Sequence, residues 1–550
     1  MNATPPPELR KALELRDQGR REDALEQLRR LQDREPANIG VLYYLGALEV
    51  ESGNPSAALP HLEAVVRAQP SQGSAVALLS DAYQSLDKNV QAVGLWRAYL
   101  EGSPQDIRAR LKLMDALLHA GAIDEADKET EKVLPALSND ADALLVIGMA
   151  YHAAGQLTQA IRHYRSSLEI SPGLKDARRN LAAALQSLGD TEAAEQMLRD
   201  LLREMGDDPE VLRDLGTVLK DGDDLEQALG CYEKAMRIQR RRLSATEVAD
   251  VGRNPAARRT TLHSLRLEME QLEYLHAIDA RINGLDPLID AYREVIEELQ
   301  IAGNEGRKFT LSTKQFDRIG SVMQRLVHVE PADAVAGGAL NPHLDVEAIA
   351  EQFAEGGSRI GVGDDFLTPA ALQALRDYCH RSTVWFGFGR VRGYCGAYMQ
   401  DGFGCGLLRQ IAGEIREQWP DIVGPHVLNQ MWGYIYDQQM SGITAHADPA
   451  VINLNFWITP DDANLDKAHG GLVVGKRKAL KEWDFDQYNN RPDVLENFMT
   501  EGDTLRVPYR CNRMVMFDSE LVHKTDDLRF QPGFLNRRIN ITMLFGHRQN

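Results

Sequence analysis

One residue at one interval decides what the first 240 residues of this 550-residue chain can fold into. Ala24, Ala58, Ala92, Ala126, Ala160, Ala194 and Ala228 recur every 34 residues. Four positions after each stands Leu28, Leu62, Trp96, Thr130, Tyr164, Leu198 or Tyr232, and only Thr130 is not large and apolar or aromatic. Twelve positions before the alanine most repeats carry a small residue: Gly46, Ser80, Gly148, Ala182 and Gly216. Twelve positions after it, Pro36, Pro70, Pro104 and Pro172 mark where a second helix must stop. The pattern calls for pairs of antiparallel helices brought close by the small residues. A single pair cannot bury its faces, so the pairs must stack.

This 34-residue pattern resembles the tetratricopeptide (TPR) repeat and implies a superhelical solenoid. Such solenoids hold an extended peptide or protein along the concave surface; a spacer or dimerising role is the alternative, with a homodimer as its simplest form. The period is lost after residue 240. Apolar residues at helical spacing predict a helix from Thr260 to Ile282 and a second from Leu285 to about Ile301. These are read as a cap on the solenoid, with pairing to another chain as the alternative. The small-residue run Ala334–Pro342 reads as a linker. The expected domains are therefore 1–240 (solenoid), 241–335 (helical cap and linker) and 336–550.

The last segment changes character. Thr368 and Pro369 predict an N-capped helix running through Cys379. Short β-type runs come after it at Val427–Tyr436, Val451–Ile458, Gly471–Val474, Arg513–Phe517 and Arg538–Phe545. They predict a jelly roll, or double-stranded β-helix, with flanking helices.

That segment also carries the candidate chemistry. On a strand, residues two apart share a face, so His446 and Asp448 can reach one ion while Ala447 turns away. His523 comes after a β-type run. Two imidazoles and one carboxylate form a facial ligand set for non-haem iron(II), with positions left open for co-substrate and dioxygen. On the last strand Arg538, Asn540 and Thr542 alternate with apolar Ile539, Ile541 and Met543. A buried guanidinium on the polar face needs an anion and matches a carboxylate through paired hydrogen bonds. Arg537 is its rival, expected at the strand start with access to solvent. Asn453, Asn455 and Trp457 alternate with Leu454, Phe456 and Ile458. Their polar face reads as a pocket wall, or else as a solvent-facing edge. His343 and Asp345 repeat the His-x-Asp pattern, but Asp345 precedes a helical run and reads as its cap. His469 is a rival third ligand in a loop.

Residues from about Gly361 to Gly546 resemble the iron(II)/2-oxoglutarate dioxygenases of the prolyl 4-hydroxylase-like branch. The resemblance rests on Tyr436 ten residues before His446, the His446-Ala-Asp448 pair, the Gly470-Gly471-Leu turn, the Asn512–His523 run and the Arg538–Phe545 strand. The resemblance implies that His446, Asp448 and His523 hold Fe(II) and that Tyr436 hydrogen-bonds the distal carboxylate of 2-oxoglutarate, with Arg538 as its salt bridge. It also implies that Asn453 and Trp457 line the co-substrate pocket, beside the polar face that carries Thr542. The implied activity is hydroxylation coupled to decarboxylation of 2-oxoglutarate, with ascorbate as a reductant. Asp448 argues against a halogenase. A peptide or protein recruited by the repeats is the expected substrate. A small-molecule substrate, or a scaffold with an inactive oxygenase domain, is the alternative. Net charge of −19 argues against a nucleic-acid backbone or anionic membrane as main partner. Five cysteines without metal-knuckle spacing and a start without an apolar run point to the cytoplasm.

Overall fold

The computed structural model describes residues 6–548 apart from 18–20, 279–281, 283, 305, 355–358, 389–392, 441, 481–482 and 484. The chain divides into two compact units, Met1–Leu201 and Leu202–Asn550.

The first unit is a run of paired helices: α1 (Pro7–Asp17), α2 (Arg21–Arg34), α3 (Ile39–Glu51), α4 (Pro55–Ala68), α5 (Gly73–Gln84), α6 (Asn89–Gly102), α7 (Ile107–His119), α8 (Ile123–Leu137), α9 (Ala141–Ala153), α10 (Leu157–Ile170), α11 (Lys175–Ser187) and α12 (Thr191–Met205), the last of which runs just past the division. The alanine ladder is fully buried. The small positions receive the large side chains sixteen residues later. A Cβ on Gly46 would lie 2.5 Å from Leu62, and one on Gly148 would lie 2.5 Å from Tyr164. At Ser80 the hydroxyl accepts from Trp96 Nε1 at 2.9 Å. Thr130, which breaks the large-residue rule, is buried because its hydroxyl bonds Ala126 O and the Tyr151 hydroxyl.

The second unit begins with α13 (Pro209–Asp221) and α14 (Leu225–Gln239), the seventh pair. These helices pack against the C-terminal half of the chain rather than ending a domain at 240. A Cβ on Gly402 would meet Met236, Asp223 pairs with Arg416 at 2.7 Å, and Lys220 Nζ donates to Asn429 Oδ1 at 3.3 Å. Next come α15 (Ala245–Val251), β1 (Arg259–Thr261), α16 (Leu262–Ala277), α17 (Asp286–Ile301), β2 (Lys308–Thr310) and α18 (Thr313–Ile319), which share one apolar core. The first expected helix ends at Ala277; its predicted continuation falls partly on residues outside those described. The expected linker at Ala334–Pro342 is not loose chain. The backbone N–H groups of Ala339 and Leu340 donate to the Glu414 carboxylate at 2.8 to 2.9 Å, and Ala339 is buried.

The sheet-rich region contains α19 (Val346–Ala354), β3 (Ile360–Gly363), α20 (Pro369–Arg381), β4 (Tyr394–Tyr398), α21 (Gly406–Gln418), β5 (Leu428–Tyr436), β6 (Gln439–Met440), β7 (Ile452–Trp457), β8 (Leu472–Lys478), α22 (Phe485–Asn489), α23 (Pro492–Thr500), β9 (Thr504–Val507), β10 (Met514–Asp518), β11 (Leu521–Thr525), β12 (Leu528–Arg529) and β13 (Ile539–Phe545). Thr368 caps α20 by accepting from Ala371 N, as its sequence predicts. A six-stranded antiparallel sheet runs β3-β10-β7-β13-β5-β4, and a three-stranded sheet runs β11-β8-β9. Tyr436, Trp457 and Val515 from the larger sheet share an apolar core with Leu472, Val507 and Leu521 from the smaller. β7 lies between β10 and β13 with every residue buried, so the solvent-facing edge reading of Asn453 and Asn455 is wrong. Alternation there separates two buried faces.

Candidate metal centre and adjoining cavity

His446 and Asp448 lie between β6 and β7, outside any ladder, so the expected strand setting is corrected. A single antiparallel bridge pins His446 to His523 on β11, with N–H to carbonyl distances of 3.0 and 2.8 Å in the two directions. Pro449, which cannot donate to a ladder, comes directly after Asp448 and helps keep the segment short. The bridge does what the strand was expected to do. It brings the two imidazoles to 4.4 Å between ring centroids.

One ligand atom from each of His446, Asp448 and His523 lies within 4.8 Å of the others. His523 Nε2 is 3.4 Å from Asp448 Oδ2, and His446 Nε2 is 3.9 Å from Asp448 Oδ1. Both Nδ1 atoms face backbone carbonyls, Thr444 O at 2.8 Å and Leu521 O at 3.0 Å. A carbonyl only accepts, so each Nδ1 carries the proton and each Nε2 is turned toward the carboxylate. This backbone anchoring is how metal-binding imidazoles are oriented. Burial works most strongly against ionisation of Asp448. The neighbouring His523, with His446 and the Asn453 amide, outweighs it and holds the carboxyl below its usual range. The donor set therefore fits a divalent cation. Asp345 instead caps α19, accepting from Ala348 N at 3.0 Å. His469 pairs with Asp466 at 3.0 Å in its loop, away from the cluster.

A cavity of about 310 Å³ opens beside this cluster. Its described wall includes Tyr436, Asn453, Thr542, Asn455, Asn540 and Thr525, and also Tyr394, Trp432, Tyr434 and Phe485. Sequence reasoning missed Trp432 and Tyr434, although Gln430, Trp432, Tyr434 and Tyr436 are spaced by two along β5. Thr525 is likewise two residues beyond His523 on β11.

Arg538 and Trp457 are not among the described residues lining the cavity. Both are fully buried behind Tyr436: the guanidinium carbon lies 4.7 Å from the Tyr436 ring centroid and 5.4 Å from that of Trp457. Arg538 Nε donates to Gly470 O at 2.8 Å, while Nη1 is buried with no partner among the described residues. Trp457 Nε1 is a second buried donor without a partner among them. Two orphaned donors beside the Tyr436 ring suit an anionic group. Arg537 does not reach solvent. It is 2 % exposed and holds Glu270 of α16 through Nε at 2.7 Å, with Asp437 at 3.3 Å. The polar side of the strand start and its rival are thus both buried, each against a different partner.

Comparison with known proteins bears on the N-terminal region. Residues 9–73 and 43–107 match one tetratricopeptide repeat profile, and residues 151–216 match another. The chain is 26% identical over 162 residues to Tetratricopeptide repeat protein 8 of Caenorhabditis elegans, covering 29% of this chain and 32% of that protein. It thus spans about a third of the length of this curated relative. Among solved structures, a tetratricopeptide repeat protein from Parabacteroides merdae aligns with TM-score 0.35 and 16% identity, over 42% of this chain and 92% of its own. A thermophilic TPR protein of Thermus thermophilus aligns with TM-score 0.26 and 24% identity, over 32% and 97%. The N-terminal region is a helical TPR solenoid, followed by a sheet-rich region. No helix among the described residues is long and apolar enough to cross a membrane.

Proposed function

We propose that the sheet-rich region is a double-stranded β-helix oxygenase that uses Fe(II) and 2-oxoglutarate, with the TPR solenoid recruiting a peptide or protein substrate. The observation that carries this reading is the His446–Asp448–His523 cluster, with both Nδ1 atoms tied to backbone carbonyls. Iron(II) held there would supply the dioxygen chemistry that couples 2-oxoglutarate decarboxylation to hydroxylation. The chain's own residues do the rest. His446, Asp448 and His523 hold the metal on one side and leave the cavity side open. Tyr436 and the unpartnered donors of Arg538 and Trp457 receive the distal carboxylate of 2-oxoglutarate. Asn453 and Thr542 form the polar wall beside it.

The test is turnover of 2-oxoglutarate to succinate with Fe(II) and ascorbate, in the full chain and in His446→Ala. Succinate from the first and none from the second is expected. Folded protein that neither binds nor turns over 2-oxoglutarate with metal present sinks the proposal. A second reading, a partner-binding TPR scaffold whose oxygenase-like region is inactive, is favoured by the confinement of the family matches to residues before 217. It is the reading that survives such a result.

A further inference from the structure

Behind Asp448 four polar side chains form one chain of hydrogen bonds inside the sheet. Asp448 Oδ2 lies 2.5 Å from Asn453 Nδ2. Asn453 Oδ1 lies 2.5 Å from Asn455 Nδ2. Asn455 Oδ1 accepts from Thr542 Oγ1 at 2.7 Å and from Asn540 Nδ2 at 3.0 Å. Asn540 Nδ2 also donates to Thr542 Oγ1 at 2.9 Å. All four are at least 95 % buried.

The direction of this chain is not free. An ionised carboxylate only accepts, so Asp448 requires the amide nitrogen of Asn453 to face it. Asn453 must then present its oxygen to Asn455, which must donate, leaving its own oxygen for Thr542 and Asn540. Turning over any one amide would set oxygen against oxygen at a buried position, where an unmade hydrogen bond is costly. The orientation of every member is thus dictated by the carboxylate at one end. Conversely, the far members restrain that carboxylate. Asp448 Oδ2 is held by Asn453 while Oδ1 is the atom nearer His446. A pocket wall alone does not call for this. Apolar residues at these positions could line the same wall without four polar groups to satisfy.

We infer that Asn453 is a positioning residue for the metal-binding carboxylate of Asp448, and that Asn455 and Thr542 act on the metal through it. The inference rests on the metal-site reading of His446, Asp448 and His523. Residues that orient a ligand from behind characteristically change metal affinity about 10- to 100-fold when removed.

The experiment is a Co(II) titration of the full chain without 2-oxoglutarate, reading the cobalt absorption bands, with thermal unfolding of each metal-free variant in parallel. Asn453→Ala is expected to weaken Co(II) binding about 10- to 100-fold. Asn453→Ser, which keeps a donor, should recover part of that loss. Thr542→Val keeps the side-chain shape and does not touch the metal, yet should weaken binding measurably. Combined with Asn453→Ala, it should add nothing, because the path is already cut. Unchanged affinity in both single variants overturns the inference, as does a double variant whose losses simply add. Should Asn453→Ala not fold, Thr542→Val decides alone: wild-type affinity overturns the inference. A folded wild-type chain that does not bind Co(II), with His446→Ala no different, overturns the metal-site reading itself. Binding lost in His446→Ala but intact in Asn453→Ala and Thr542→Val overturns only the relay.

Discussion

Replacing each of the adjacent arginines with methionine should split stability from co-substrate binding. Arg537 is an ion-pair residue. It is 2 % exposed, its Nε and Nη2 lie 2.7 and 3.1 Å from the Glu270 carboxylate, and its Nη1 is 3.3 Å from Asp437. Breaking a buried pair costs about 3–5 kcal/mol. Glu270 and Asp437 keep some contact with water, at 25 % and 32 % side-chain exposure, so the lower end, about 3 kcal/mol, applies to Arg537→Met. Arg538 is the opposite case. It is 0 % exposed, has one short hydrogen bond to Gly470 O, and keeps Nη1 unpartnered. Burial drags its pKa below the ordinary value, against the raising effect of Tyr436 and Tyr509. A guanidinium so poorly satisfied contributes little to the stability of the ligand-free fold. Methionine of similar length should leave stability unchanged or raise it by about 1 kcal/mol or more. The same change removes a charge-assisted hydrogen bond to 2-oxoglutarate worth about 1.5–3 kcal/mol, or roughly 10- to 150-fold in Kd. Urea unfolding without ligand and calorimetric titration with 2-oxoglutarate, Mn(II) being present, measure the two quantities. The expected result is a crossing: Arg537→Met loses stability, Arg538→Met loses affinity. A loss of stability in Arg538→Met equal to that in Arg537→Met, with 2-oxoglutarate binding intact, refutes the assignment of Arg538.

In the solenoid, Gly148→Ala should destabilise by about 1–2 kcal/mol in chemical unfolding, because overpacking against Tyr164 exceeds the gain in helix propensity. Pairing it with Tyr164→Leu should recover much of the loss. His380, 6 % exposed on α20 among Tyr274 and Phe534, has its pKa pushed down to about 4, chiefly by burial. Its folded pKa lies below the unfolded value of about 6.5, so its contribution is present above that pH and lost as pH falls through about 4. Urea midpoints across that window should flatten in His380→Phe, by on the order of 3 kcal/mol in total. A fragment beginning at residue 336 should not give a cooperative unfolding transition. It lacks Glu270 and also Gln271, whose Nε2 donates to His380 O and Ser382 O at 2.9 Å.

The sequence carried most of the local structure because the signals there are periodic. The alanine ladder reports burial directly, the alternation in β7 and β13 marks two faces that are both buried, and the five expected strands differ from those observed by a residue or a few. What escaped is what depends on partners far along the chain. Nothing near Arg537 in sequence reveals that Glu270, 267 residues earlier, waits for it in the interior. The central place of β7 depends on strands that pair from both sides, so a solvent-facing edge stayed open beside the pocket-wall reading of its two asparagines. His446 and Asp448 were legible as a pair, yet the support proved to be one bridge to His523 rather than a ladder. The polar relay was half visible: each strand showed its asparagines, but not that they meet.

The seam between Leu201 and Leu202 also says where recombination should succeed. A designer seeking to give this chain a new binding specificity would naturally exchange all seven repeats and join at residue 240. That junction would discard Met236, Asp223 and Lys220, each of which packs on or bonds to the sheet-rich part. A graft made at the turn around Gly206, after α12, leaves the seventh helix pair with its host. Six repeats are then interchangeable cargo, and the seventh is a fixture of the unit that holds the cavity.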